Sequence, residues 1–130
     1  ELAALTDEIL FREAADRQHR FMAGCVREYP AAHCFSLMAM ARAFYPHKEL
    51  VCTGAGAPKE LLSYLRENPA HGLSILFQSA ENKEKLSELA PFTASYPVSV
   101  QTKWYLCENG TCHAPQTDFH KLNLSCQEKS

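Results

Sequence analysis

Apolar residues recur at helical spacing through the first third of the chain. Between Asp7 and Glu28 they fall three, four and seven positions apart, and a polar stretch from Arg17 to Arg20 lies outside that stripe. A second pattern of this kind runs from Ala31 to Tyr45, with Pro30 before it and Pro46 after it. The two segments predict an antiparallel helix pair joined by a short turn.

Short apolar runs replace this pattern further along the chain. The runs Glu49–Thr53 and Leu73–Phe77 predict two buried strands, and the segments Pro58–Glu67 and Glu81–Leu89 predict two helices. Strand, helix, strand, helix in this order is typical of parallel βαβ units. Near the end, the pair Asn109-Gly110 stands between residues able to form strands, which predicts a β-hairpin.

Together these elements predict an α/β fold in two parts. Residues 1–46 form the N-terminal antiparallel helix pair, and residues 47–130 form a small βαβα subdomain with mostly parallel strands and a terminal β-hairpin. The chain starts without an initiator Met or the basic and apolar regions of a signal peptide, and Glu1 to Leu5 resembles the last turn of a helix. We therefore expect a piece of a longer protein.

Charge and hydropathy narrow the set of partners. The 130 residues include 13 Lys+Arg and 15 Asp+Glu, a net charge of −2, and show no clustered basic stripe of the kind that grips nucleic acid. No apolar run approaches the roughly 18 residues of a membrane span. We expect neither nucleic acid nor a membrane among the partners.

Five of the six cysteines fall into two groups, and the sixth, Cys126, lies near the end of the chain. Cys25, Cys34 and Cys52 lie within apolar patterns, where a free thiol behaves as a small hydrophobic side chain, so we expect core thiols. The chain is longer and richer in Leu, Ala and Phe than small disulfide scaffolds are. This favours a reducing, cytoplasmic location.

Cys107 and Cys112 form the most specific feature of the sequence. A two-residue turn at Asn109-Gly110 would place them opposite each other on adjacent antiparallel strands, with their side chains on one face and within disulfide range. They are a candidate disulfide or redox pair. Three alternatives remain open: a paired thiol couple, unlinked packing, or metal or redox chemistry that includes His113.

Other motifs are weak. Gly54-Ala55-Gly56 lies between a predicted strand and helix, as in a dinucleotide-binding loop, but the third glycine position is Lys59, and an ordinary turn is the simpler interpretation. The nucleophile elbow Gly-x-Ser-x-Gly and the metal motif His-Glu-x-x-His are missing from the sequence. We expect no catalytic residue, no cofactor and no metal site on this chain.

One family resemblance covers most of residues 2–122. Its motifs are the run Tyr45-Pro46-His47-Lys48-Glu49-Leu50-Val51, then Gly54, and then Tyr105-Leu106-Cys107 followed by Cys112-x-x-Pro115-x-Thr117-Asp118. These resemble the C-terminal end of the YyaL-like, spermatogenesis-associated thioredoxin-domain proteins, whose ending is similar to Tyr-Val-Cys…Cys-x-x-Pro-x-Thr-Asp. The chain departs from that ending at Asn109-Gly110, where the family usually carries a bulkier aromatic residue.

The resemblance implies a parent with three parts. A thioredoxin-like domain precedes an (α/α)6 barrel similar to N-acylglucosamine epimerases and six-hairpin glycosidases, and a small α/β element lies near the end. The predicted helix pair with Pro30 resembles the last helices of that barrel. The thioredoxin-type cysteines and candidate sugar-binding residues would lie before Glu1, so no family catalytic residue maps onto this chain.

Two functional hypotheses follow. In the first, the chain is a non-catalytic C-terminal fragment that acts as a structural or interaction segment of a larger, carbohydrate-related protein. Its partner would be the upstream barrel of the same polypeptide, and the isolated fragment could form a homodimer through the uncovered surface. In the second, the chain is a small redox or metal-binding module that uses Cys107, Cys112 and His113. The sequence leaves open whether the parent is a carbohydrate-active or redox enzyme.

Overall fold

A computed structural model describes residues 2–44, 47–68, 72–108 and 110–124. Within them the secondary structure consists of α1 (Leu2–Thr6), α2 (Ile9–Glu28), α3 (Cys34–Phe44), β1 (Lys48–Thr53), α4 (Lys59–Glu67), β2 (Leu73–Gln78), α5 (Lys83–Leu89), β3 (Lys103–Glu108) and β4 (Thr111–Cys112). Short 3-10 turns lie at Pro30–His33, Pro91–Thr93 and Phe119–Lys121. The predicted α/β class, with helices at the N-terminal end, is confirmed. The predicted boundary between residues 46 and 47 lies next to residues 45 and 46, which are outside the described residues.

The four strands form one mixed sheet in the order β2-β1-β3-β4. β1 and β2 are parallel, whereas β3 is antiparallel to β1, and β4 is antiparallel to β3. The antiparallel pairing of β4 with β3 is that of the predicted terminal hairpin. The expectation of mostly parallel strands is wrong, because β3 is antiparallel to β1. The reason is the path before β3: a Cβ atom on Gly54 would lie 3.1 Å from Thr102 Oγ1, so Thr102 lies next to the carboxyl end of β1. A strand that starts at this end runs antiparallel to β1.

Alternation along the strands gives the sheet two buried faces. On the first, which we call the α4 face, Leu50 and Cys52 of β1 pack with Trp104 and Leu106 of β3 and with Leu61 of α4. On the second, which we call the Tyr96 face, the smaller core consists of Val51, Tyr96 and Tyr105, with Leu76 and Phe92 packed against it. Burial of β1 on both faces matches the apolar run Leu50-Val51-Cys52 at its centre.

The helices α2 and α3 are connected by the 3-10 turn at Pro30–His33 and contact each other. Neither helix contains a buried residue. A hydrogen bond from Arg42 Nη2 to Ser74 Oγ, 2.8 Å long, connects α3 to β2. Among the described residues, no helix combines the length and the apolar character needed to cross a bilayer.

The prediction that Cys25, Cys34 and Cys52 are core thiols is wrong in part, because few residues cover α2 and α3. Cys52 is fully buried in the sheet, as expected, but Cys25 is half-buried and Cys34 is exposed. The apolar spacing around Cys34 correctly indicated a helix. Burial of that helix depends on what packs against it, and within the described residues little does.

Candidate functional site

The hairpin formed by β3 and β4 brings Cys107 and Cys112 together. Their Cα atoms are paired across the two antiparallel strands, and Gly110 takes the left-handed backbone conformation, with φ of 76°, in the connecting turn. The two sulfurs are joined in a disulfide with an S–S distance of 2.05 Å. This register is the one predicted from the Asn109-Gly110 pair, although Asn109 itself lies outside the described residues. A redox role for the pair stays a prediction.

The hydroxyl group of Tyr96 contacts both sulfurs of the disulfide. Its Oη lies 3.1 Å from Cys112 Sγ and 3.4 Å from Cys107 Sγ. Since disulfide sulfurs carry no hydrogen, the tyrosine is the donor, and its single hydroxyl hydrogen is shared between the two contacts. Its ring stacks on Tyr105, with centroids 4.1 Å apart and planes 12° apart, so the hydroxyl is held in place. Tyr96 was not among the residues predicted from the sequence, because no local spacing signals a contact across eleven and sixteen residues.

Burial raises the pKa of Tyr96 above the ordinary value for tyrosine. The nearby Tyr105 and Glu49 raise the Tyr96 pKa further, because negative charge on their side chains would repel a Tyr96 phenolate. The phenol therefore stays protonated through neutral and mildly alkaline pH. A protonated hydroxyl is a hydrogen-bond donor throughout that range.

A cavity of about 360 Å³ adjoins the disulfide on the Tyr96 face. It lies between the junction of α1 with α2 and the sheet, and its lining comprises Ala4, Asp7, His47, Glu49, Pro91, Phe92, Cys107, Gly110 and Cys112. His47 Nε2 lies 3.0 Å from Glu49 Oε1, and Glu49 is paired with Cys107 across β1 and β3. The cavity thus combines a disulfide, an imidazole and two carboxylates, those of Asp7 and Glu49.

The metal form of the redox or metal hypothesis finds no support in this arrangement. The sulfurs of Cys107 and Cys112 are bonded to each other, whereas metals bind thiolates. The exposed side chain of His113 has Nε2 4.0 Å from Glu108 Oε1. Within the described ranges, no three His, Cys, Asp or Glu side chains form a group that could hold a metal ion.

The Gly54-Ala55-Gly56 segment lies between β1 and α4, as predicted. Gly54 N donates to Gln78 O, and Thr102 occupies the space beside Gly54. The close approach of Thr102 gives a structural reason for glycine at this position. An ordinary turn remains the simpler interpretation, since no further feature among the described residues favours dinucleotide binding there.

The three free cysteines in the described part of the chain differ in their expected reactivity. Burial raises the pKa of the Cys52 thiol to about 12, and only a thiolate attacks alkylating reagents. We expect iodoacetamide to modify the exposed Cys34 in the folded protein and to leave Cys52 untouched, even when the pH rises to about 9, near the ordinary thiol value. Peptide mass spectrometry of labelled protein measures both sites, and unfolding in urea should release Cys52. Equal labelling of Cys52 and Cys34 in the folded state would contradict the assignment.

Comparisons with known proteins add nothing to this geometry: no family model, no curated protein and no solved structure matches the chain. The resemblance to the YyaL-like family therefore rests on the residues named above.

Proposed function

We propose that this chain is a non-catalytic structural or interaction segment, the C-terminal part of a larger polypeptide of the YyaL-like type. The observation that carries the proposal is the helix pair. Neither α2 nor α3 buries a residue, yet both carry large apolar side chains with most of their surface accessible. The most exposed are Phe21 (69%), Leu10 (70%), Phe44 (75%) and Phe35 (87%).

Such helices gain stability when other helices cover their apolar residues, because this removes hydrocarbon surface from water. The sheet does not provide this cover, since its own apolar residues pack on the α4 face and the Tyr96 face. We propose that preceding helices of the same polypeptide do, in the position that the resemblance assigns to a six-hairpin barrel. A carbohydrate-related activity of the parent and a cytoplasmic location are part of the same proposal.

The isolated chain offers a direct test of the uncovered helix pair. We expect it to self-associate with rising concentration and to bind a dye that fluoresces on apolar surfaces, as measured by sedimentation and fluorescence titration. Phe35→Gln combined with Met38→Gln changes two exposed residues one helical turn apart, and should weaken both signals.

The matched control is Val100→Gln. Val100 is 94% exposed and lies in the segment between α5 and β3, which is not part of the helix pair, so its replacement should change neither signal. A compact monomer that binds no dye would overturn the proposal. Equal effects of the control and the α3 variant would show that the helix pair is not the associating surface.

A second candidate function is a redox module built on Cys107 and Cys112. The observation that favours it is the contact of one tyrosine hydroxyl with both sulfurs beside a cavity. In a reducing compartment, disulfides are usually transient and either catalytic or redox-sensing. A pair that forms a disulfide there would cycle between two states.

A further inference from the structure

The two cysteines of the disulfide differ in their exposure, although both line the cavity. Cys107 lies in β3 and is 3% exposed, whereas Cys112 lies in the short edge strand β4 and is exposed. Thiol–disulfide exchange requires a thiolate to reach one sulfur while the other leaves. The geometry therefore makes Cys112 the attacked sulfur and Cys107 the leaving sulfur.

A hydrogen-bond donor near Cys107 Sγ would stabilise the negative charge that this sulfur acquires as it leaves. Charge that develops on Cys107 is disfavoured by its burial and by the Glu49 carboxylate on the neighbouring strand. The Tyr96 hydroxyl, 3.4 Å from Cys107 Sγ, can donate a hydrogen bond to that charge. The stacked Tyr105 ring holds the donor in place before the reaction begins.

We infer that the Cys107–Cys112 disulfide is an exchange site for a low-molecular-weight thiol, which enters the cavity and attacks Cys112 while Tyr96 positions and stabilises Cys107 as the leaving group. The inference deepens the second candidate function and rests on it. The cavity volume of about 360 Å³ is at the lower end of ligand-site sizes, which suits a small molecule better than a folded partner.

The exchange consists of two balanced steps. A thiol RSH loses its proton and attacks Cys112 Sγ; the electron pair of the S–S bond passes to Cys107 Sγ, which takes up one proton. The products are a mixed disulfide at Cys112 and a free thiol at Cys107. A second RSH loses its proton and attacks the mixed disulfide at the sulfur of R; the bond to Cys112 Sγ breaks, Cys112 Sγ takes up one proton, and RSSR is released. Two thiols are thus oxidised while one protein disulfide is reduced.

The test uses reduced glutathione as the probe. The background protein carries Cys25→Ser, Cys34→Ser and Cys126→Ser, so the buried Cys52 is the one cysteine that remains outside the disulfide. Oxidised protein is mixed with glutathione, quenched with acid and an alkylating reagent, and mapped by mass spectrometry. We expect glutathione on Cys112 and the alkyl group on Cys107. Glutathione on Cys107 instead, or a disulfide that does not react, would overturn the inference.

Two single variants test the roles of the sulfurs with oxidised glutathione. In Cys107→Ser, the exposed Cys112 should form a mixed disulfide readily. In Cys112→Ser, the buried Cys107 should react at least about tenfold more slowly, because access and thiolate formation are both hindered. Equal rates in the two variants would show that the sulfurs are not distinguished.

Tyr96→Phe tests the positioning residue. Loss of one hydrogen bond to a developing charge should slow exchange with reduced glutathione about tenfold. Tyr64→Phe, on the opposite face of the sheet, is the matched control and should leave the rate unchanged. In urea, where the proteins are unfolded, all variants should exchange at one rate. In buffer, Cys52 of Tyr96→Phe should stay protected from alkylation, which shows that the core of this variant is intact. An unchanged rate in folded Tyr96→Phe would remove Tyr96 from the mechanism.

These outcomes are independent of the helix-pair proposal. Adduct position and exchange rate report on the disulfide, whereas sedimentation and dye binding report on α2 and α3. Either proposal can fail while the other stands.

Discussion

Replacing Trp104 with Ala should lower the free energy of unfolding by about 3–5 kcal/mol, the usual range for removing a large buried aromatic side chain. Trp104 is 3% exposed and lies in the largest apolar cluster of the sheet. Its ring packs against Phe119, with centroids 4.9 Å apart, so the same change leaves the segment after β4 with less to pack on. Urea unfolding followed by circular dichroism measures the loss, because Trp104 is the single tryptophan and its fluorescence disappears with it.

Two companion variants make the Trp104 result specific. Trp104→Phe keeps an aromatic ring in the cluster and should cost clearly less than Trp104→Ala. Val100→Ala, at a position that is 94% exposed, should change stability by less than about 0.5 kcal/mol. A loss below about 1 kcal/mol for Trp104→Ala would mean that the α4 face is not the main core of the sheet.

Replacing Lys48 with Met should lower the free energy of unfolding by about 1–3 kcal/mol, since it leaves polar partners without their donor. Lys48 Nζ lies 2.7 Å from Glu108 Oε1 and donates to Asn123 O at 2.8 Å. The ammonium group thus links the start of β1 to the end of β3 and to the segment that follows the last 3-10 turn. Glu108 is about one-third exposed, so solvent weakens its share and the Asn123 carbonyl carries much of the effect.

The control for Lys48 lies at the other end of the same strand pair. Lys103 is paired with Thr53 across β1 and β3 and is only half-buried, so Lys103→Met should cost less than about 0.5 kcal/mol. Chemical denaturation of both variants gives the comparison. Similar losses in the two would show that charge removal alone, and not the link made by Lys48, accounts for the result.

Local sequence signals were sufficient for the elements and for the hairpin. The apolar runs at β1 and β2 and the helical segments between them were found because each is a contiguous pattern closed by glycine or proline. The pairing of Cys107 with Cys112 was found because a tight turn fixes register over a few residues. In each of these cases the information lies within about ten residues of the feature it specifies.

Features that depend on long-range packing could not be predicted from the sequence. The direction of β3 depends on where Thr102 lies relative to Gly54, and no run of residues encodes that position. Tyr96 reaches the sulfurs only because the segment between α5 and β3 folds back over the sheet. The exposure of Cys34 depends on which surfaces cover α3, so helical spacing alone could not decide it.

The central position of β1 has a consequence for the order in which the sheet can be made. Its parallel partner β2 is 25 residues later along the chain, as the pairing of Lys48 with Leu73 shows, and its antiparallel partner β3 follows only in the pairing of Lys48 with Glu108, 60 residues away. During synthesis, at roughly 5–20 residues per second, the apolar centre of β1 therefore spends several seconds with one open edge. Pairing between strands so distant in sequence forms slowly. Until β3 pairs with β1, the unpaired edge of β1 makes the nascent chain most vulnerable to aggregation.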